Sequence, residues 1–255
     1  MRKIAVCLSK GGVGKTTTAT TLAYGLSQSG RKVLLVDCDT QGQAAFFLGL
    51  RPELGIAEVL LGRKAANECI VEARPNLHLL ASGGRLLGEA TAHISTRTLG
   101  IERALLEALT PVEGHYDYVI LDMAPGWDIL TVNALIYAKE ILAPVQLQGP
   151  SMESLGEFFE RVDIVRQYNA GLDTKYIVPT NWDRRSGESR ALYEQLMKMF
   201  PEKTCAPVRQ CVKIFEASGR GQVIFEYAPK STGAEDYGNL IERIKQDDKE
   251  SCHGC

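Results

Sequence analysis

Residues 9–17 read Ser-Lys-Gly-Gly-Val-Gly-Lys-Thr-Thr, and their types and spacing suit phosphate binding. Glycines let backbone N–H groups approach an anion, Lys15 supplies a cation, and the hydroxyl of Thr16 is a ligand for Mg²⁺. Phosphate-binding loops commonly read G-x-x-x-x-G-K-[ST], but Ser9 stands where the first glycine is expected. Lys10, directly after it, is a second cation that a single nucleotide site does not obviously need.

Carboxylates follow two other apolar segments of the chain. Asp37 and Asp39 come after the run 32–36, and Asp122 ends the run that starts at residue 118. Aspartates in such loops hold the coordination shell of Mg²⁺ or orient an attacking water. We therefore predict that Asp37 and Asp122 serve the metal and that Asp39 serves the water. The alternative is that these aspartates only form turns and caps.

The elements that must position these loops alternate along the chain. Helical spacing separates the apolar runs, which indicates a three-layer α/β fold with a mainly parallel twisted sheet and helices on both faces. In such sheets ligands bind at the C-terminal ends of the strands, where the three loops lie. The predicted strands are 4–8, 32–36, 77–80, 118–121, 140–144 and 175–178, and the predicted helices are 16–29, 55–61, 98–109, 129–138, 154–168 and 188–199.

Length and composition favour one cytoplasmic domain. A chain of 255 residues with 45% hydrophobic content can bury one sizeable core, and we place a single domain at 1–248 and a flexible tail at 249–255. The seven cysteines are an odd number, which argues against a disulfide framework and favours a reducing cytoplasm. The net charge of −2 gives no general basic field, so contact with nucleic acid would require a local patch.

The three loops together resemble those of the ParA/MinD family of deviant Walker-type ATPases. The resemblance spans nearly the whole chain and is weakest at about residues 50–115. It rests on Lys10-Gly-Gly-Val-Gly-Lys15-Thr16-Thr17, on Asp37-Cys-Asp39-Thr-Gln-Gly42-Gln, on the strand ending in Asp122, and on the segments 143–146, 154–156, 178–185 and 209–234.

This resemblance implies an ATP hydrolase, with slow turnover, that uses ATP and Mg²⁺. Lys15 would contact the β- and γ-phosphates, Thr16 would ligate Mg²⁺ beside Asp37 and Asp122, and Asp39 would position the water. Asn181 would pair with the adenine edge, because its amide both donates and accepts. The other positions assigned to the nucleotide are Gly11, Gly12, Val13, Gly14, Thr17 and Asp183.

Lys10 matches the signature lysine of the family, which crosses a dimer interface to the partner's nucleotide. The resemblance therefore implies a homodimer that forms on ATP binding and in which Lys10, Lys15 and Asp39 are the catalytic residues. Two departures relax the loops around the site. Ala124 and Thr40 stand where relatives usually carry proline, although neither change removes a catalytic group.

The resemblance also implies DNA binding without sequence preference and a role in positioning or segregating DNA or another cargo. A separate cargo-bound adaptor protein would stimulate hydrolysis, and the ATP-bound protein would lie on the nucleoid. Membrane anchoring is not expected, because residues 237–249 offer few apolar positions. The candidate DNA contacts are Arg209, Lys213, Arg220 and Lys230, with Arg243 and Lys245 on the last helix.

Two alternatives stay open. Cys252 and Cys255 form a Cys-x-x-Cys pair that, shared across a dimer, would supply four thiolates to an iron–sulfur cluster. The chain would then be a cluster carrier, whereas the other interpretation of the pair is an unstructured tail. The second alternative is a positioning ATPase that does not bind DNA.

Overall fold

The structure is a computed structural model that describes the backbone of residues 1–253 and the side chains of residues 1–248. Its strands form one seven-stranded sheet in the order β3-β4-β2-β5-β1-β6-β7, parallel throughout except for the edge pair β3–β4. The strands are β1 (Arg2–Val6), β2 (Val33–Cys38), β3 (Ile70–Arg74), β4 (Leu77–Leu80), β5 (Tyr118–Met123), β6 (Glu140–Gln146) and β7 (Asp173–Thr180).

Helices cover both faces of this sheet. In the described part of the chain, no helix combines the length and the hydropathy that crossing a membrane requires. The helices are α1 (Lys15–Gln28), α2 (Gln43–Phe47), α3 (Ile56–Leu60), α4 (Ala66–Cys69), α5 (Arg85–Ser95), α6 (Ala104–Glu113), α7 (Ile129–Tyr137), α8 (Ser151–Arg166), α9 (Gly187–Met199), α10 (Val212–Gly219), α11 (Ile224–Tyr227) and α12 (Thr232–His253), with a 3₁₀ turn at Ile101–Arg103.

Alternation along the central strands divides the core into two halves. Successive strand residues point to opposite faces, so Ala5 and Leu121 pack with α3–α8, whereas Ile4 and Ile120 pack with α1, α2 and α12. Both faces are apolar, which is why these strands read as nearly continuous hydrophobic runs. The predicted three-layer α/β fold with a mainly parallel sheet is confirmed.

The first half of the chain departs from the predicted elements. The sequence-based expectation missed β3, which pairs antiparallel with β4 at the sheet edge after a tight turn with Asn76 at a φ of 63°. An edge strand is buried on fewer sides and therefore carries Glu72 and Arg74, which weaken its hydrophobic signal. The helix predicted at 98–109 is instead the 3₁₀ turn followed by α6.

The end of the chain bears on the proposed tail. Helix α12 is assigned through His253, and the side chains of Cys252 and Cys255 lie outside the described residues. The division of the chain at residues 248 and 249 therefore stays a prediction, as does the iron–sulfur alternative that depends on this cysteine pair.

A buried asparagine braces the layer formed by α7 and α8. Asn169 is 7% exposed, and its amide nitrogen donates to the carbonyls of Leu135 and Ala138, each at 2.8 Å, and to Ile136 at 3.1 Å. These carbonyls belong to the C-terminal end of α7, where no further helical N–H groups are available. Asn169 therefore satisfies the end of the helix that follows the β5 loop.

We expect Asn169→Ala to lower the free energy of unfolding by about 2 kcal/mol, because buried carbonyls lose their donor. Chemical denaturation followed by circular dichroism measures this loss. Gln167→Ala, at an exposed position two residues away, is the control and should stay close to wild type. Equal stability of the two variants would contradict the bracing role.

Candidate nucleotide and magnesium site

The strand order brings the three predicted loops together. In the sheet β5 lies between β1 and β2, and the pairing places Asp122 beside Val6 on one side and beside Asp37 on the other. The loop that follows β1 therefore starts next to Asp122, with Asp37 on the far side of that residue. Because all three strands are parallel, their C-terminal ends meet at one edge, as the sequence predicts.

The phosphate loop depends on glycine at two positions. Gly12 and Gly14 have φ values of 73° and 92°, which residues with a Cβ rarely adopt. Gly14 directly precedes α1, so the N–H groups at the start of that helix face the loop's concave side. The backbone N–H of Gly126 donates to the carbonyl of Ser9 at 2.9 Å, which ties this loop to the one after β5.

The two lysines of the loop have different surroundings. Lys15 is 6% exposed, lines the cavity above the loop and donates from Nζ to the carbonyl of Lys10 at 2.9 Å. Burial lowers the pKa of Lys15, while the nearby Asp122 and Asp39 act in the opposite direction. The side chain of Lys10 is only partly buried, and Lys10 is not one of the residues that line this cavity.

Asp122 and Asp37 are neighbouring carboxylates that are both fully buried. Burial raises the pKa of Asp122, and the charge of Asp37 raises it further, against the opposing effects of Thr16 and Lys15. Burial likewise raises the pKa of Asp37, although two backbone N–H groups favour its charged form. These donors are Asp39 N at 3.0 Å and Ala44 N at 3.1 Å.

This carboxylate pair fits a magnesium ion. Apart from the hydroxyl of Thr16, which favours the charged form, no donor among the described residues serves the buried carboxylate of Asp122, although its two oxygens can accept several hydrogen bonds. A divalent cation would compensate this charge, and oxygen ligands are those that Mg²⁺ prefers. The structure thus brings Thr16, Asp37 and Asp122 together, as expected from the sequence. Of the two carboxylates, Asp122 is the one whose charge is less compensated by hydrogen bonds.

Asp39 holds the turn that follows β2. Its carboxylate accepts from Gln41 N at 2.9 Å, and its own carbonyl accepts from Gly42 N, also at 2.9 Å. Gly42 has a φ of 63° and directly precedes α2. Asp39 lines the same cavity as Lys15 and Thr16, and its action on an attacking water stays a prediction. The exposed Thr40 occupies the turn itself.

Two adjoining cavities extend from the phosphate loop. One, of about 620 Å³, runs from Lys15 to the loops after β2 and β5. The other, of about 610 Å³, runs from Gly12 and Thr17 to Asn181 at the end of β7. Both are lined by Gly12, Gly14, Thr17, Gln43 and Phe47, which suits a ligand with a phosphate tail and a base.

The two residues assigned to the base after β7 are placed differently. Asn181 has a φ of 55° and lines the second cavity. Asp183 does not line it, and its carboxylate pairs instead with Arg185 N at 2.9 Å and Arg185 Nε at 3.2 Å. The structure therefore brings Asn181, but not Asp183, into the cavity expected for adenine.

Sequence reasoning missed the apolar walls of this second cavity. They come from α2 and α10 and from the segment before α10, which approach each other only in the fold. No local motif marks such residues, because single apolar side chains are common in any helix. The missed residues are Phe46, Phe47, Val208, Cys211, Ile214 and Phe215.

Comparison with known proteins places this site in a family. A family model described as an AAA domain matches residues 1–174. The chain is 37% identical to the chromosome-partitioning ATPase Soj of Thermus thermophilus over 249 residues, covering 96% of this chain and 95% of the relative. It is 32% identical to the sporulation initiation inhibitor protein Soj of Bacillus subtilis, covering 94% and 97%. The chain belongs to the ParA-type partitioning ATPases.

A solved structure extends this comparison to the ligands. Cobyrinic acid a,c-diamide synthase from Mycobacterium smegmatis, with bound ATP analogue and magnesium, is 30% identical with a TM-score of 0.85, covering 98% of this chain and 97% of that one. This partitioning ATPase accordingly hydrolyses ATP and uses Mg²⁺. The predicted family, enzyme class and cofactors are therefore confirmed.

The basic residues proposed for DNA in this partitioning ATPase divide into two groups. Lys213, Arg220 and Lys230 are exposed. Arg209 is instead neutralised, because its guanidinium donates to Asp236 at 2.6 Å and to Glu235 at 2.5 Å. In this structure Arg209 therefore fastens the segment before α10 to α12, and a phosphate would have to displace two carboxylates to reach it.

We expect Asp122→Asn to stabilise the nucleotide-free protein at pH 8 and to abolish its extra stabilisation by Mg²⁺ with ATP. The folded-state pKa of Asp122 lies above its unfolded value, so ionisation opposes folding increasingly as pH rises from about 4 towards that folded pKa. Removing the charge should raise the melting temperature by a few degrees.

Thermal melts with and without Mg²⁺ and ATP measure both effects. Asp163→Asn, at an exposed carboxylate on α8, is the matched control and should behave as wild type. A variant at Asp122 that is less stable without nucleotide yet keeps its magnesium-dependent stabilisation would contradict the assignment.

Proposed function

We propose that this partitioning ATPase works as a nucleotide-dependent dimer, in which each Lys10 reaches the nucleotide of the partner protomer. The observation that carries the proposal is the placement of the two lysines. Lys15 lies in its own phosphate cavity, whereas Lys10 lies outside it on the partly exposed side of the loop. A cation outside its own site can stabilise charge in a neighbouring site once two protomers meet.

In the proposed cycle each residue acts on ATP from a defined position. Lys15 and the backbone N–H groups of residues 11–14 hold the phosphates, and Thr16, Asp37 and Asp122 hold the metal. Asp39 orients the water, and Lys10 from the partner neutralises charge that develops during phosphoryl transfer. Asn181 reads the base. Hydrolysis therefore depends on pairing.

An adaptor protein is the proposed trigger of hydrolysis. Oδ1 of Asp39 accepts from Gln41 N within the turn 39–42, so a movement of this turn would change the direction in which the carboxylate faces the attacking water. A binding partner that moves the turn would accelerate a slow intrinsic reaction. The adaptor would carry the cargo, as the cargo-bound partner expected from the sequence does.

We expect Lys15→Ala to lose nucleotide affinity, because a buried cation leaves the phosphate cavity. Lys10→Ala should keep that affinity but lose nucleotide-dependent dimerisation or turnover. Fluorescent ATP-analogue binding, sedimentation velocity and phosphate release separate these steps. Lys198→Ala, at an exposed position on α9, is the control. Normal turnover in Lys10→Ala would rule out the role across the interface.

DNA binding without sequence preference is the second part of the proposal. Lys213 and Arg220 both lie over the ring of Tyr227, at 5.8 and 5.3 Å from its centroid, and both are exposed. We propose these two residues and the exposed Lys230, which closely follows Tyr227 in the chain, as the DNA contacts, and we call the three the basic surface. A dimer would present this surface twice, which offsets the net charge of −2.

Substitutions in the basic surface and a substitution at Arg209 should have different effects, the first on DNA binding and the second on stability. Each of Lys213→Ala, Arg220→Ala and Lys230→Ala should weaken ATP-dependent DNA retention and lower the slope of log affinity against log salt by roughly one. Arg209→Ala should chiefly lower the melting temperature, because it leaves Asp236 buried without its partner.

Filter binding to unrelated duplexes over a salt series, with ADP and with ATP, measures the retention. The filter should retain DNA with the wild-type protein only when ATP is present. In the cell, the ATP-bound protein would then associate with the nucleoid in the cytoplasm. Equal retention with ADP and ATP, or none at any salt concentration, would contradict DNA binding and favour the positioning ATPase that does not bind DNA.

A further inference from the structure

The side chain of Lys10 has a defined resting place within its own protomer. Its Nζ lies 3.3 Å from the carbonyl oxygen of Gln148 and 3.4 Å from Oγ of Ser151. Both acceptors lie in the segment 146–151, called here the connection, which runs from the end of β6 to the first residue of α8 and approaches the phosphate loop. The ammonium group is therefore directed away from the cavity that holds Lys15.

The segment that accepts from Lys10 is held in shape by hydrogen bonds of its own. Ser151 is 2% exposed, and its hydroxyl donates within the same connection to the carbonyl of Gln146 or, at 2.7 Å, to that of Gln148. A serine oxygen that donates its one proton still has lone pairs available, so it can accept from Lys10. The arrangement presents two oxygen acceptors to one ammonium group.

A carboxylate on α9 fixes the shape of this connection. Gly149 has a φ of 60°, and its N–H donates to Oε1 of Glu188 at 3.1 Å. At one end of the connection Leu147 N donates to the carbonyl of Thr180 at 3.0 Å. The hydrogen bond of Glu188 goes to Gly149 N and not to Lys10, so Glu188 is a positioning residue that shapes the backbone next to Gln148.

We propose that Gln148 and Ser151, braced by Glu188, form a holding site for Lys10 that opposes dimerisation until the lysine is released. This inference rests on the proposed function, because it assumes that Lys10 acts on the partner's nucleotide. In the single protomer Lys10 donates to the holding site. In the dimer it must give up these contacts to donate to the partner's phosphates.

The holding site should therefore make dimer formation less favourable. The free energy of the contacts in the holding site is subtracted from the free energy of dimer formation, because only the released lysine can reach across the interface. The contacts are few and partly exposed, so their effect is a tuning of the equilibrium rather than a block. Weakening the holding site should therefore make the dimer tighter.

The test compares dimer dissociation constants by sedimentation velocity with Mg²⁺ and a non-hydrolysable ATP analogue. Ser151→Ala removes one acceptor and should tighten the dimer about fivefold, within the range of a single hydrogen bond. The same substitution in a Lys10→Ala background should have no effect, because the group it restrains is absent. Nucleotide affinity of the monomer should not change in Ser151→Ala.

A second set of variants repeats the test from the exposed surface of α9, where misfolding is not a concern. Glu188→Ala removes the brace and should tighten the dimer, whereas Glu188→Gln keeps an oxygen acceptor for Gly149 N and should behave as wild type. Glu194→Ala, at another exposed position of the same helix, is the matched control.

The outcomes separate the two proposals. If the wild-type protein dimerises with nucleotide but Ser151→Ala and Glu188→Ala do not tighten the dimer, the holding site is wrong and the proposed function stands. Tightening that persists without Lys10 would show a merely structural effect and would also overturn the holding site. A wild-type protein that never dimerises would overturn the proposed function together with it.

Discussion

Two carboxylates buried side by side at the ends of β2 and β5 are the constraint on which the site depends. Asp37 and Asp122 are both fully buried; Asp37 accepts two backbone hydrogen bonds, whereas among the described residues only the Thr16 hydroxyl favours the charged form of Asp122 as a donor. Such a pair is unfavourable until a cation joins it. Two apolar cores hold these strands in place despite this cost, and a magnesium ion held by the pair would compensate its charge. Ligand binding and local stability are thereby linked.

The two lysines of the phosphate loop lie in different electrostatic surroundings. Lys15 is buried next to the carboxylates and completes the protomer's own site. Lys10 lies five residues before Lys15, and its side chain leaves the loop towards Gln148 and Ser151 instead of entering the cavity. Each lysine therefore senses a different event, namely nucleotide binding for Lys15 and, in the proposed cycle, pairing for Lys10.

The parts of the site that could be predicted from the sequence are those formed by residues that are close together in the chain. Short motifs of neighbouring residues predict the phosphate loop, Asp39 and Asp122. The parallel sheet then brings these motifs together, because the C-terminal ends of its strands meet at one edge. The edge strand β3, the ion pairs of Arg209 and the walls provided by Phe46 and Ile214 depend on segments distant in sequence. Asp183 has a different explanation, because its carboxylate pairs locally with Arg185 and it does not line the second cavity.

Helix α10 joins the two halves of the proposed function. Ile214 and Phe215 line the cavity expected for the base, while Lys213 from the same helix lies over the ring of Tyr227 on the basic surface. A helix of two turns moves largely as one body because its backbone is hydrogen-bonded along its length. A nucleotide that changes how Ile214 and Phe215 pack must therefore also move Lys213. This geometry gives the proposed dependence of DNA binding on ATP a physical basis within a single protomer, to which dimerisation then adds the second copy of the surface.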